Sequence, residues 1–224
     1  MTRQTIKGRF ITLEGSEGVG KTTNLAVIEQ VLRERGVGLV VTREPGGTAL
    51  GERIRQLLLH EATDDGSENA SMVGTAELLL MFAARAQHVA QVIRPALERG
   101  DWGLSDRFTD ATYAYQGSGR GLPMEDIASL ETLVQGELRP DLTLYLDIDP
   151  KVAFARIADR QLDRIEREEL AFFHRVREGY RARAAAEPLR FAVVDAAADQ
   201  ASVAADVRRV VSARVDAFVG PNER

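Results

Sequence analysis

The stretch "LEGSEGVGKTT", Leu13 to Thr23, carries the residues with the clearest chemical purpose. Gly15, Gly20, Lys21 and Thr22 fit G-x-x-x-x-G-K-[ST], the spacing of a loop that wraps a phosphate chain. Glycines let the backbone curl so that its N–H groups point inward, and a following helix N-terminus adds positive potential. Lys21 is expected to reach the outer phosphates and Thr22 to offer a hydroxyl to Mg2+. The loop's full lining would be Gly15, Ser16, Glu17, Gly18, Val19, Gly20, Lys21, Thr22 and Thr23. Glu17 is its odd member, an anion inside an anion-binding loop. A glycine-rich strand-to-helix turn is the plain alternative.

A second group lies in "LSDRFTDATYAYQGSGRG", Leu104 to Gly121. Asp106 and Arg107 close an apolar run, where ligands of an open α/β sheet collect. A guanidinium fork suits a pair of phosphate oxygens, although an ordinary Asp-Arg surface pair would look the same. Beyond it, Thr112 and Gln116 fall one helical turn apart with Tyr115 beside them. In "ELLLMFAARAQHV", Phe82 and Arg85 are three residues apart on a helix, so ring and guanidinium are neighbours. They would suit a nucleobase, but Phe82 also suits the core; Arg85 among apolar residues needs a partner.

The elements that must hold these groups alternate. "RFITLEG", "GLVVTRE", "WGLSDR", "DLTLYLD" and "RFAVVDA" read as five short strands. Helical stretches run from Lys21 to near Gly36, Ala49 to Leu59, Thr75 to Arg99 and Met124 to Glu137. Others run from Lys151 to Ala158, Ile165 to Ala186 and Gln200 to Phe218. Strands apolar on both faces, alternating with helices, predict a parallel sheet covered by helices. "HEATDDGSENASMVG" reads as a polar surface loop. The 224 residues suit a single domain over 1–224, with no repeat or proline-rich linker.

Composition narrows the classes. The formal charge of −5 gives no reason to expect an extended nucleic-acid surface, and no apolar run reaches membrane-spanning length. The chain has no cysteine, which rules out disulfides and thiolate metal sites. "MTRQTIKGRF" lacks the apolar core of a secretion signal, so a cytoplasmic protein is expected. Only Lys7, Lys21 and Lys151 are lysine among 29 basic residues, so the lysine in the loop stands out. His60, His88 and His174 are scattered over unrelated segments and suggest no metal site. The D-x-x-G and N-K-x-D segments of GTPases are absent, which disfavours a nucleotide switch. An apolar run ending in Asp147 could imitate a motor ATPase but comes late in the chain.

"LEGSEGVGKTT", "TREPGGT" (Thr42 to Thr48), "LLLMFAARAQH", "DRFTDATYAYQGSGRG", "LRPDLTLYLD" and "LDRIE" (Leu162 to Glu166) follow one another in this order. Together, from about Arg9 to Asp195, they resemble the bacterial thymidylate kinases of the nucleoside-monophosphate kinase group. The resemblance implies a three-layer P-loop kinase fold, α/β, with a five-stranded parallel sheet and a mobile arginine-bearing lid. It implies phosphoryl transfer from ATP to dTMP with Mg2+, in a homodimer. By position Phe82 would stack on thymine, Arg85 would bond its exocyclic oxygen, and Thr112 and Gln116 would line the base pocket. Tyr115 would crowd the sugar, Arg107 would grip the acceptor phosphate, and Glu44 would belong to the acceptor-side loop. Glu17 would turn from ATP to the 3′-hydroxyl of the acceptor, and Asp106 would orient Arg107 or a Mg2+-bound water. A deoxynucleoside kinase, which transfers to a 5′-hydroxyl, is the rival enzyme; Glu44 would be its base.

The lid is expected over about 154–168. Arg156, Arg160 and Arg164 recur every four residues in "FARIADRQLDRIEREE", and a continuous helix would put them on one face. Enzymes of this family whose phosphate loop lacks arginine bring one from the lid, and this loop lacks one. Relatives usually show a glycine between the lid arginine and "LDR" that is missing here. The expected order for the phosphate-contacting arginine is Arg160, then Arg164, then Arg156.

Overall fold

A computed structural model describes residues 8–59, 72–158 and 162–219. Its strands are β1 (Phe10–Glu14), β2 (Leu39–Arg43), β3 (Trp102–Asp106), β4 (Leu142–Asp147) and β5 (Phe191–Asp195). They form one five-stranded sheet in the order β2-β3-β1-β4-β5, and every pairing is parallel. The order reverses direction on either side of β1, which opens a crevice at the carboxyl ends of β1 and β3.

Helices cover both faces. On one, α1 (Lys21–Glu34) packs with α9 (Gln200–Val219). Val203, Val207, Val211 and Val215 recur every four residues and meet Ile28, Val31, Ile11, Leu13, Leu142, Leu144 and Leu146 in a fully apolar layer. Each such burial contributes about 1.5–3 kcal/mol before chain entropy is counted.

The opposite face departs from the expected all-apolar sheet. Thr12, Glu14, Ser105 and Thr143 are buried there, and Thr12 Oγ1 lies 3.0 Å from Thr143 Oγ1. Covering this face are α3 (Gly74–His88), α4 (Arg94–Arg99), the short α5 (Thr109–Thr112) and α8 (Leu170–Ala186). The remaining helices are α2 (Ala49–Leu59), α6 (Met124–Gln135) and α7 (Pro150–Ala155).

The helix expected from Thr75 to Arg99 is helical throughout but widens into a π-turn at Val89–Ile93, between α3 and α4. Pro95 supplies the reason: it has no N–H, and its ring crowds the carbonyl one turn earlier. A second π-turn, Tyr113–Gly119, continues α5 and carries Tyr115 and Gln116. It packs closely on α8 because Gly179 has no side chain; a Cβ there would lie 2.5 Å from Ser118 Oγ and 3.0 Å from Ala114 Cα. Among the described residues, no helix is long and apolar enough to cross a membrane.

Candidate active site

The phosphate loop leaves the end of β1 and enters α1. Gly18 and Gly20 adopt φ of 76° and 89°, a region that costs other residues energy. Gly18 is also hemmed in, since a Cβ would stand 2.2 Å from the Ala153 carbonyl oxygen. Lys21 Nζ donates to the carbonyls of Gly15 (3.1 Å) and Ser16 (3.0 Å) and lies 3.5 Å from Glu17 Oε2. Burial, with Arg107 nearby, lowers the Lys21 pKa. The Thr23 hydroxyl accepts from Gln200 Nε2 at 3.0 Å.

Beside this loop β3 ends at Asp106, and Arg107 follows at φ 69°, the only positive value of a non-glycine residue among those described. Three hydrogen bonds fix that conformation. Arg107 N–H donates to Leu13 O (3.0 Å), Ser105 Oγ donates to Arg107 O (2.7 Å), and Phe108 N–H donates to Glu14 Oε1 (2.8 Å). The result aims the guanidinium across Tyr115, 4.8 Å from its ring, and onto Glu17, to which it donates. Burial pushes the Tyr115 phenol up to about 12, so it stays neutral.

Thr22 and Asp106 line the same cleft, and Asp106 Oδ1 is buried with no partner among the described residues. An orphaned carboxylate oxygen beside a hydroxyl is a donor set that fits Mg2+, which takes few protein ligands and completes its shell with phosphate and water. No cluster of three or more His, Asp or Glu side chains suited to a metal occurs among the described residues.

The acceptor side is a cleft lined by Glu17, Glu44, Arg85, Arg107, Thr112, Tyr115 and Gln116, which the sequence had scattered over a hundred positions. At its floor Arg85 Nε donates to Glu44 Oε2 at 2.8 Å, and Arg85 Nη2 donates to Thr112 Oγ1 at 3.0 Å. Glu44 Oε1 lies 2.8 Å from His88 Nδ1, and His88 Nε2 is 2.7 Å from Thr42 Oγ1. Both Glu44 oxygens are therefore engaged. Arg85 Nη1 is buried without a partner among the described residues.

Two expectations read differently in three dimensions. Phe82 does not line this cleft: its ring packs with Leu78, Tyr113 and Ile127 and lies 4.8 Å from the Arg85 guanidinium. Met81 lines the cleft instead, because α3 turns Phe82 into the apolar contact with Tyr113 and Ile127 and leaves Met81 facing the cleft. The continuous lid helix is interrupted. The α7 helix ends at Ala155, and residues 162–168 form turns in which Asp163 Oδ1 accepts from the N–H groups of Ile165 and Glu166, both at 2.9 Å. Such side-chain capping competes with helix continuation.

The arginines diverge accordingly. Arg156 donates to the carbonyls of Ala196, Ala197 and Ala198, and borders a second cleft with Gly18, Val19, Gly20 and Gln200. Arg164 is committed to Leu58 O (2.8 Å) and Glu77 Oε2 (2.5 Å). Arg160 and His60 lie outside the described residues, as does most of the polar loop. The sequence reading passed over Met81, Glu77 and Arg55, which also lines the acceptor cleft. In a chain so rich in arginine and glutamate, type alone singles none of them out.

A phosphate loop at the switch point of a parallel sheet, facing an arginine-floored acceptor cleft, defines a P-loop phosphotransferase that acts on a small acceptor. The thymidylate kinase family model matches residues 13–207. The thymidylate kinase of Pseudomonas entomophila is 60% identical over 199 residues, covering 88% of this chain and 92% of that one. That of Teredinibacter turnerae is 54% identical over 207 residues, covering 92% and 98%. The crystal structure of thymidylate kinase from Ehrlichia chaffeensis superimposes with a TM-score of 0.71 at 33% identity, over 91% of this chain and 98% of that one. The chain belongs to the thymidylate kinase family.

Proposed function

We propose that this chain transfers the γ-phosphoryl group of ATP to the phosphate of dTMP, giving ADP and dTDP on the route to dTTP in the cytoplasm. The observation that carries the reading is the shared wall between the two clefts. Arg107, on the acceptor side, donates to Glu17, whose other oxygen lies 3.5 Å from Lys21 Nζ in the phosphate loop. Two phosphate groups held by these residues would meet end to end.

Phosphoryl transfer passes through a loose transition state, so positioning and positive charge do most of the work. Lys21 and the loop amides hold the donor phosphates, and Arg107 holds the acceptor phosphate in line with them. The acceptor oxygen is already anionic near pH 7, so no strong base is required. Glu44, tied to Arg85 and His88, fits a positioning role better than the base that a deoxynucleoside kinase would need. Mg2+ held at Thr22 and Asp106 would neutralise charge on the transferring group. The cleft beside Arg156 and Gln200 suits the adenosine end of ATP. Among the lid arginines we assign the phosphate contact to Arg160 first, because Arg164 and Arg156 are engaged elsewhere. The whole of 1–224 acts as a single domain. Exposed Leu57 on α2 and Leu79 on α3 support a homodimer built on these helices.

The test is a panel of nucleoside monophosphates, with thymidine included, incubated with ATP and Mg2+ and scored for product. Highest turnover with dTMP is expected. Turnover of thymidine to dTMP in its place would support the deoxynucleoside kinase instead.

A further inference from the structure

Behind the base end of the acceptor cleft lies a carboxylate that the reaction does not touch. Glu77, on α3, is 1% exposed. Its Oε1 accepts from Gln116 Nε2 at 2.7 Å and Arg120 Nε at 3.3 Å, and its Oε2 accepts from Arg120 Nη2 at 3.1 Å and Arg164 Nη2 at 2.5 Å. Burial alone would push its pKa up, but the hydrogen bonds from Gln116, Arg164 and Arg120 outweigh that and hold it below the ordinary range. The group is ionised, and an ionised carboxylate only accepts.

That restriction acts on Gln116. A terminal amide has a donating and an accepting end of nearly equal shape, and its neighbours decide which way it lies. Glu77 accepts from the NH2 end, which turns the amide so that its acceptor, Oε1, lies at the other end of a side chain that lines the cleft. Arg85, which lines the same cleft, is a donor only, and its buried Nη1 has no partner among the described residues. One acceptor and one donor complement a base edge that carries N–H beside C=O, as in thymine. A 4-aminopyrimidine presents a bare nitrogen beside NH2 and is mismatched at both.

We propose that Glu77 is a positioning residue for base selection: it locks the Gln116 amide so that the cleft accepts 4-oxopyrimidine nucleotides and rejects 4-aminopyrimidine ones. This rests on the dTMP kinase reading above. The same carboxylate docks Arg164, so a purely structural role is the competing explanation, and the readout must separate the two.

The measurement is kcat/KM for dTMP and for 5-methyl-dCMP, which keep the same methyl group and sugar, in wild type and Glu77→Gln. A neutral amide at 77 lets Gln116 turn over. The preference for dTMP is expected to narrow by about tenfold or more, with the KM for ATP within about twofold of wild type. Equal losses on both nucleotides, with the preference intact, would overturn the proposal in favour of a structural role. If the variant does not fold, wild-type protein labelled with 15N answers the question. The Gln116 side-chain amide proton bonded to Glu77 is expected to exchange slowly both without and with dTMP; fast exchange in either state would overturn it. Wild type inactive on every nucleoside monophosphate would defeat the kinase reading itself, whereas active wild type with an unaltered preference in the variant defeats only the role of Glu77.

Discussion

Arg107 donates directly to Glu17, so the residue expected to grip the acceptor phosphate is tied to the loop expected to cradle the donor. The contact answers why an anion-binding loop carries a glutamate. Glu17 faces sideways, into the acceptor cleft, and its charge is balanced by Arg107 and Lys21.

Glu17→Gln should therefore act on one substrate. Charge-assisted hydrogen bonds are worth about 1.5–3 kcal/mol, so the KM for dTMP is expected to rise by roughly tenfold or more. The KM for ATP should stay within about twofold. Steady-state kinetics with each substrate varied in turn checks this, and equal effects on both would defeat it.

Arg107→Lys keeps the charge but loses the planar fork. It also keeps the left-handed backbone that the bonds to Leu13, Ser105 and Glu14 impose. A drop of about a hundredfold in kcat/KM for dTMP, with an unchanged melting temperature, is expected for a lost bidentate contact. A variant as active as wild type would mean that charge alone suffices there.

Met81→Ala and Phe82→Ala should separate binding from stability. Phe82 is fully buried, so its removal should cost about 3–5 kcal/mol in urea unfolding. Met81 lines the cleft, so its removal should raise the KM for dTMP with a smaller stability loss. The reverse pattern would restore Phe82 to the base pocket.

Among the lid arginines, Arg160→Ala should lower kcat with little change in dTMP affinity. Arg164→Ala should instead destabilise the fold, because it leaves Glu77 short of a partner. Turnover equal to wild type in Arg160→Ala would remove that residue from the chemistry.

Burial, with Asp110 nearby, raises the Glu14 carboxyl from 4.5 to about 8. Between those values the folded chain holds a proton that the unfolded chain has lost, so this group makes stability fall as pH rises. Glu14→Gln should flatten that part of the profile, gaining on wild type from pH 5 to pH 8 by up to a few kcal/mol. Urea midpoints that run parallel across the range would show that Glu14 titrates normally.

What could be read from the chain was what depends on near neighbours. A loop such as Leu13 to Thr23 works through its own amides, so its spacing alone marks it as a phosphate-loop candidate. The five strands and the bounds of α2 follow from short-range apolar patterning and came out as expected. Partners across the sheet were another matter. Phe82 and Met81 are adjacent and both apolar; only the docking of α3 against α6 and the π-turn decided which one lines the cleft. Arg156, Arg160 and Arg164 share a spacing, yet α7 ends at Ala155, ahead of all three, and Glu77, far away in sequence, holds Arg164. A side chain's direction follows from its own backbone, but the group it meets belongs to another element, and that is settled only when the layers pack.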